Sequence, residues 1–121
     1  LIAPILRKAD TKSPQEIATE VKDLAERAQI GKLERDEIVG GTFSVSNLGS
    51  YGISQFEAII NPPQGAILAI GVGAEKIISI DKKPVVANMM SVSLSCDHRI
   101  IDGAVGAEFL KILKDKIENP K

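Results

Sequence analysis

The run from Val85 to Cys96 reads as an alternating one, with Val92, Leu94 and Cys96 on one side and Ser91, Ser93 and Ser95 on the other. A period of two predicts a strand with one apolar and one small polar face. From Gly103 to Glu118 the spacing changes, and Val105, Phe109, Ile112, Leu113 and Ile117 mark an amphipathic helix packed on one side. The segment Asp97-His98-Arg99-Ile100-Ile101-Asp102-Gly103 joins the two as a strand-to-helix corner. Corners of this kind carry side chains out of a sheet toward solvent or ligand on a rigid support.

Upstream, Ser13-Pro14-Gln15-Glu16 has the form of a capping box with proline at the first helical position. It opens a helix over Ser13 to Ile30, with Ile17, Val21, Leu24 and Ala28 inward, an Asp23–Arg27 pair on the wet face and Gly31 near the end. Ala66 to Val72 is almost continuously apolar, as in a strand covered on both faces. Ile77 to Ile80 and the run from Val85 flank Asp81-Lys82-Lys83-Pro84, which predicts a hairpin. Gly71-Val72-Gly73-Ala74-Glu75-Lys76 lacks the third glycine of a dinucleotide fingerprint and the Gly-Lys-Ser/Thr of a phosphate loop, so it reads as a bend between strands.

Charge sharpens this division. Almost half of the residues from Arg7 to Glu37 are charged, whereas from Ile38 to Ala74 only Glu57 is. The first region is expected to be solvated and the second buried, either in an ordinary core or in a subunit interface, whose centre is also poor in charge. The opening run Leu1-Ile2-Ala3-Pro4-Ile5-Leu6 reads as a strand entered part-way along, too short to span a membrane and without the basic start of a signal peptide.

The chain has 121 residues, 44% of them hydrophobic, enough for one ordinary domain core. A net charge of −1, with no basic cluster interleaved with aromatics, gives no basis for nucleic-acid binding. The single cysteine excludes an internal disulfide, and one histidine leaves no recognisable metal-ligand spacing. Cys96, on the apolar side of its strand, is expected to be a small buried residue rather than a nucleophile.

His98 is the only histidine. Spacing alone leaves two readings of its corner. In one, His98 is a hydrogen-bonded structural residue, Asp102 caps the following helix and Arg99 pairs with a carboxylate. In the other, the imidazole is a catalytic base.

Asp97-His98-Arg99-x-x-Asp102-Gly103, preceded by Ser93-Leu94-Ser95-Cys96, resembles the signature of the dihydrolipoamide acyltransferases, the E2 components of 2-oxo acid dehydrogenase complexes. Its core, His-x-x-x-Asp-Gly, is shared with chloramphenicol acetyltransferase. A second set of segments resembles the same family in the same order: Gly40-Gly41-Thr42-Phe43-Ser44-Val45-Ser46-Asn47-Leu48-Gly49, then Ile59-Ile60-Asn61-Pro62-Pro63-Gln64 and Ala66 to Gly71. The likeness covers essentially the whole chain and is greatest to the pyruvate dehydrogenase branch, which transfers acetyl groups.

That resemblance implies an α/β, chloramphenicol-acetyltransferase-like two-layer sandwich, with the helices Ser13 to Ile30 and Gly103 to Glu118 packed on a mixed sheet. It implies that residues 1–121 are the C-terminal half of the catalytic domain, without the first half or the lipoyl and partner-binding domains. It further implies homotrimers that build a cubic core, E1 and E3 components as partners through the absent domains, and a setting in the bacterial cytoplasm or mitochondrial matrix. Coenzyme A and lipoamide are the implied substrates, with no metal.

By the same resemblance His98 is the general base that takes the proton of an attacking thiol, and Ser46 donates a hydrogen bond to the oxyanion, the two coming from neighbouring subunits. Neither is acylated, because the attacking sulfur belongs to the substrate. Asp102 fixes the loop, Gly103 allows close backbone approach, and Asp97 and Arg99 are at most supportive. Two other functions stay open: a catalytically silent assembly piece, and a sister enzyme acting on succinyl or branched acyl groups.

Overall fold

The computed structural model describes residues 1–121, which divide into two compact units, Leu1–Gly41 and Thr42–Lys121. In the first, α1 spans Pro14–Gln29. Ser13 Oγ accepts the Glu16 N–H, and Glu16 Oε2 accepts the Ser13 N–H at 2.7 Å, so the expected capping box is complete. At the other end Gly31 has φ +69°, the left-handed conformation that ends a helix most readily at glycine, and the Lys32 N–H bonds back to Arg27 O at 2.8 Å. Leu24 is the buried anchor of this unit and Ile17 and Ala28 are half-buried, but Val21, expected inward, is exposed.

The opening residues form no strand. They are tied down by the Ile5 N–H to Glu37 O, and by Arg7, whose guanidinium donates to the carbonyls of Asp36 and Val39. An apolar run becomes a strand only where a neighbouring strand satisfies its backbone, and here one N–H bond and a side-chain clamp hold it instead.

The second unit holds two sheets. In the first, β1 (Ser44–Asn47) pairs parallel with β2 (Ala66–Ile70), which pairs antiparallel with β5 (Val92–Cys96), giving the order β1-β2-β5. β2 is central, and Ala66, Ile67, Leu68 and Ala69 are buried on both of its faces, as its continuous apolar sequence predicts. Burying one Leu or Ile side chain contributes about 1.5–3 kcal/mol, so this strand is the main anchor of the unit.

The second sheet is the hairpin β3 (Ala74–Ile80) and β4 (Lys83–Met89). Its two-residue turn, Asp81-Lys82, has φ of 50° and 63°, the primed geometry that matches the twist of a tight hairpin. The alternating run expected as one strand from Val85 to Cys96 is therefore two strands in two different sheets, broken at Met90-Ser91.

α2 spans Gly103–Glu118 as expected, but of the expected stripe only Leu113 is turned inward. Gly106 is buried and Leu110 and Leu113 are half-buried, whereas Val105, Phe109, Ile112 and Ile117 are exposed. The glycine decides the packing: a Cβ at Gly106 would lie 3.5 Å from Cys96 Sγ and 3.8 Å from a Leu94 methyl, so α2 rests on β5 through its smallest residue. Cys96 is accordingly on the helix side of the sheet, though half-buried rather than fully so. Phe109 meets Phe43 with ring centroids 5.7 Å apart.

The segment with almost no charge is not uniformly buried. Phe43, Val45, Tyr51, Ile53 and Ile59 are exposed, Ile59 at 87%. Uncharged sequence marks absence of charge, not enclosure, and of the two readings given above an ordinary core does not describe these positions.

Candidate active site

The register of the three-stranded sheet decides which side chains share a face. Ser46 pairs with Ala69, which pairs with Ser93, and Ser44 pairs with Ile67, which pairs with Ser95. Ser44, Ser46, Ser93 and Ser95 therefore project from one face, together with Ile67 and Ala69. Val45, Ala66, Leu68, Ile70, Val92, Leu94 and Cys96 project from the other, where α2 packs on β5 and leaves Val45 exposed. On the serine face Ser44 Oγ bonds to the side-chain amide of Gln64.

The corner after β5 is fastened on both sides. The Asp97 N–H bonds to Gly65 O at 2.8 Å, extending the β2–β5 ladder by one step, and Asp97 O accepts the N–H groups of Ile100 at 3.0 Å and Ile101 at 2.9 Å. Asp97 Oδ1 accepts the Arg99 N–H at 3.0 Å, and the Arg99 guanidinium grips both carboxylate oxygens, the closest contact being 2.7 Å. The Arg99 hydrogen bonds hold the Asp97 carboxyl down at about 2, well below the usual carboxylate range. Asp102 then caps α2, its Oδ1 accepting the Val105 N–H at 2.9 Å.

His98 is exposed at the crest of this turn, over an open depression of about 310 Å³. Leu94, Cys96, Ile101, Asp102, Gly106 and Leu110 are among its walls, so it lies on the helix side of the sheet. An imidazole at the rim of a mostly apolar recess can take the proton of a thiol that lies along the recess. Gly103, expected to admit a close backbone, faces open space: a Cβ there would meet no atom within 4 Å.

His98 and Asp102 are thus brought together, and Ser46 is not. It projects from the opposite face of the sheet, two strands from β5 and near Ser93 rather than the corner; strand spacing and rise put its Cα on the order of 15–20 Å from that of His98. The corner's fastenings, apart from the cap and the Arg99 pair, were not visible in the sequence. The Asp97–Gly65 bond needs residues far apart in the chain, although Asp97 two positions before Arg99 was a local signal for a side-chain turn. No group of three or more His, Cys, Asp or Glu side chains is placed to hold a metal ion, and no helix is long and apolar enough to cross a membrane.

Residues 1–121 match the family model for 2-oxoacid dehydrogenases acyltransferase (catalytic domain). The dihydrolipoyllysine-residue acetyltransferase component of the mitochondrial pyruvate dehydrogenase complex of Dictyostelium discoideum is 54% identical, over 99% of this chain and 19% of its own length. A crystal structure of the Azotobacter vinelandii dihydrolipoamide acetyltransferase superimposes with a TM-score of 0.93 at 36% identity, covering 98% of this chain and 49% of that one. In that enzyme a serine, a histidine and an asparagine were investigated for their role in the catalytic mechanism. The cubic core of a pyruvate dehydrogenase multienzyme complex superimposes equally well, with a TM-score of 0.93 at 36% identity over 98% of this chain and 49% of that one. This chain spans about half the length of the solved structures and about a fifth of the Dictyostelium relative. With the family model matched over residues 1–121 and the fold superimposing over 98% of the chain, the chain belongs to the 2-oxoacid dehydrogenase acyltransferase family, in its catalytic domain.

Proposed function

We propose that this chain is the C-terminal half of a dihydrolipoamide acetyltransferase catalytic domain, with His98 as general base, Ser46 as oxyanion donor and Asp102 as the residue that fixes the histidine loop. One observation carries the reading. The intervals from Ser46 to His98 and from His98 to Asp102 equal those separating the serine, histidine and asparagine investigated in the Azotobacter enzyme, in the same order. By that interval Asp102 would correspond to the asparagine of that enzyme, and both residue types cap a helix well.

The reaction follows from the residues. The thiol of coenzyme A attacks the carbonyl carbon of an acetyl thioester on dihydrolipoamide as His98 accepts the sulfur's proton. A carbon–sulfur bond forms, and the carbonyl oxygen becomes an oxyanion that a serine hydroxyl stabilises by donating a hydrogen bond. Collapse breaks the bond to the lipoamide sulfur, which takes the proton back from the imidazolium. Acetyl-CoA and dihydrolipoamide result, with no change of oxidation state and no acyl group on the protein.

Because Ser46 projects from the sheet face opposite the His98 recess, one copy does not assemble this constellation. A working site takes His98 from one subunit and Ser46 from a neighbour, as in a ring closed by head-to-tail contacts. Exposed Val45, Tyr51 and Ile59 on uncharged sequence supply apolar surface for such a contact. A trimer within a larger core, E1 and E3 components as partners, coenzyme A and lipoamide as substrates, and a mitochondrial or bacterial setting belong to the same proposal.

Acetyl transfer from acetyl-CoA to dihydrolipoamide by the assembled protein tests it. His98→Ala should remove most of the activity, and Ser46→Ala should lower the rate by about a hundredfold, the scale of one lost oxyanion donor. Wild-type rates in both variants refute the mechanism, and a preference for succinyl-CoA would move the protein to a sister branch.

A further inference from the structure

Building on the reading of His98 as the base, we propose that the Asp97–Arg99 pair is a positioning device that fixes the imidazole for proton transfer. The two residues flank His98 and are joined across it. Asp97 supplies four anchors: its N–H to Gly65 O, its carbonyl to the N–H groups of Ile100 and Ile101, its Oδ1 to the Arg99 N–H, and its carboxylate to the guanidinium. The backbone on both sides of His98 is thereby tied to the end of β5 and to the start of β2.

Stability does not explain the pair. The Arg99 side chain is 88% exposed, and an ion pair in that setting adds little to folding. Its geometry is nevertheless specific: a guanidinium forked onto a carboxylate two residues away, whose own oxygen also closes the turn through a backbone N–H. A catalytic group on a rim exposed to solvent needs such a clamp, because misplacement by about 1 Å can cost a hundredfold in rate. The carboxylate, held charged down to about pH 2, keeps the clamp closed across the working range.

The test is kcat and KM for coenzyme A in the assembled protein for Asp97→Ala, Asp97→Asn, Arg99→Ala and His98→Ala. Asp97→Ala should lower kcat by about tenfold or more with KM within about twofold, the signature of a misplaced group rather than lost binding. Asp97→Asn keeps an acceptor for the Arg99 N–H and should recover a large part of that loss. Arg99→Ala, which leaves the turn bond in place, should lower kcat severalfold, and it serves alone if Asp97→Ala does not assemble. Wild-type kcat in Asp97→Ala or Arg99→Ala, with His98→Ala inactive, overturns the clamp and leaves the base standing. An active His98→Ala overturns the base itself, and the clamp with it.

Discussion

Ser46 and His98 face opposite sides of one three-stranded sheet: Ser46 stands in register with Ala69 and Ser93 on the serine face, while His98 rims the recess between β5 and α2. A hydroxyl and an imidazole so placed cannot meet a single thioester carbon within one copy. A site that uses both groups therefore has to form between copies of the chain.

Gly71 leaves β2 through a gap with no room for a side chain. A Cβ there would lie 2.0 Å from Ser54 O and 2.7 Å from Ser54 C, both backbone atoms, while Gly71 also donates to Ser91 O at 2.9 Å. Gly71→Ala is expected to destabilise the protein by about 1–3 kcal/mol or to prevent folding, as overpacking against backbone does. Gly73, two residues on, has no atom within 4 Å of its Cβ position, so Gly73→Ala should fall within about 0.5 kcal/mol of wild type. Urea unfolding of the pair checks this, and equal effects would contradict it.

Asp102 caps α2, and removing the cap should be felt before any chemistry. Asp102→Ala loses the 2.9 Å bond from the Val105 N–H and should cost about 1 kcal/mol of stability. Asp102→Asn keeps an acceptor of equal capping strength and should unfold at nearly the same urea concentration as wild type. A large loss in the asparagine variant would show that the carboxylate's charge matters beyond the cap.

Glu37 reports the pH dependence of the first unit. Two hydrogen bonds from the Arg27 guanidinium, at 2.6 and 2.7 Å, and one from the Glu34 N–H hold its carboxyl at about 2, below an ordinary 4.5. A carboxylate whose pKa is lower in the folded state stabilises fully above its unfolded value, and that contribution is lost as pH falls toward the folded value. The stability gap between wild type and Glu37→Gln should therefore be constant above about pH 4.5 and close as pH falls toward 2. A gap that persists at pH 2 would contradict the ion pair's role.

The elements set by local rules were legible in the sequence. Ser13-Pro14-Gln15-Glu16 announced α1, the apolar run from Ala66 announced the central strand, and Asp81-Lys82-Lys83-Pro84 between apolar segments announced the hairpin, whose turn is only Asp81-Lys82. What depends on distant partners was not. A period of two records pleating and not which strand is the neighbour, so the change of sheet at Met90-Ser91 shows in the sequence only as a slip of phase at the adjacent apolar pair Met89-Met90. The inward stripe of α2 is hidden for a similar reason: hydrophobicity picks out Phe109 and Ile112, but close approach to Cys96 and Leu94 selects Gly106. At the site, spacing alone left His98 between two readings and the family resemblance singled out Ser46 and His98, while the strand register shows that they face apart within one copy.

If Ser46 and His98 act across a subunit boundary, as proposed, mixing subunits restores the site. Ser46→Ala and His98→Ala proteins, each nearly inactive alone, are dissociated, combined in equal amounts and reassembled before acetyl transfer is measured. Random assortment into trimers gives each mixed ring one site with both residues intact, so activity should return to about a quarter of wild type. Reassembled mixtures no more active than their parents would contradict a shared site and place both residues' roles within a single copy.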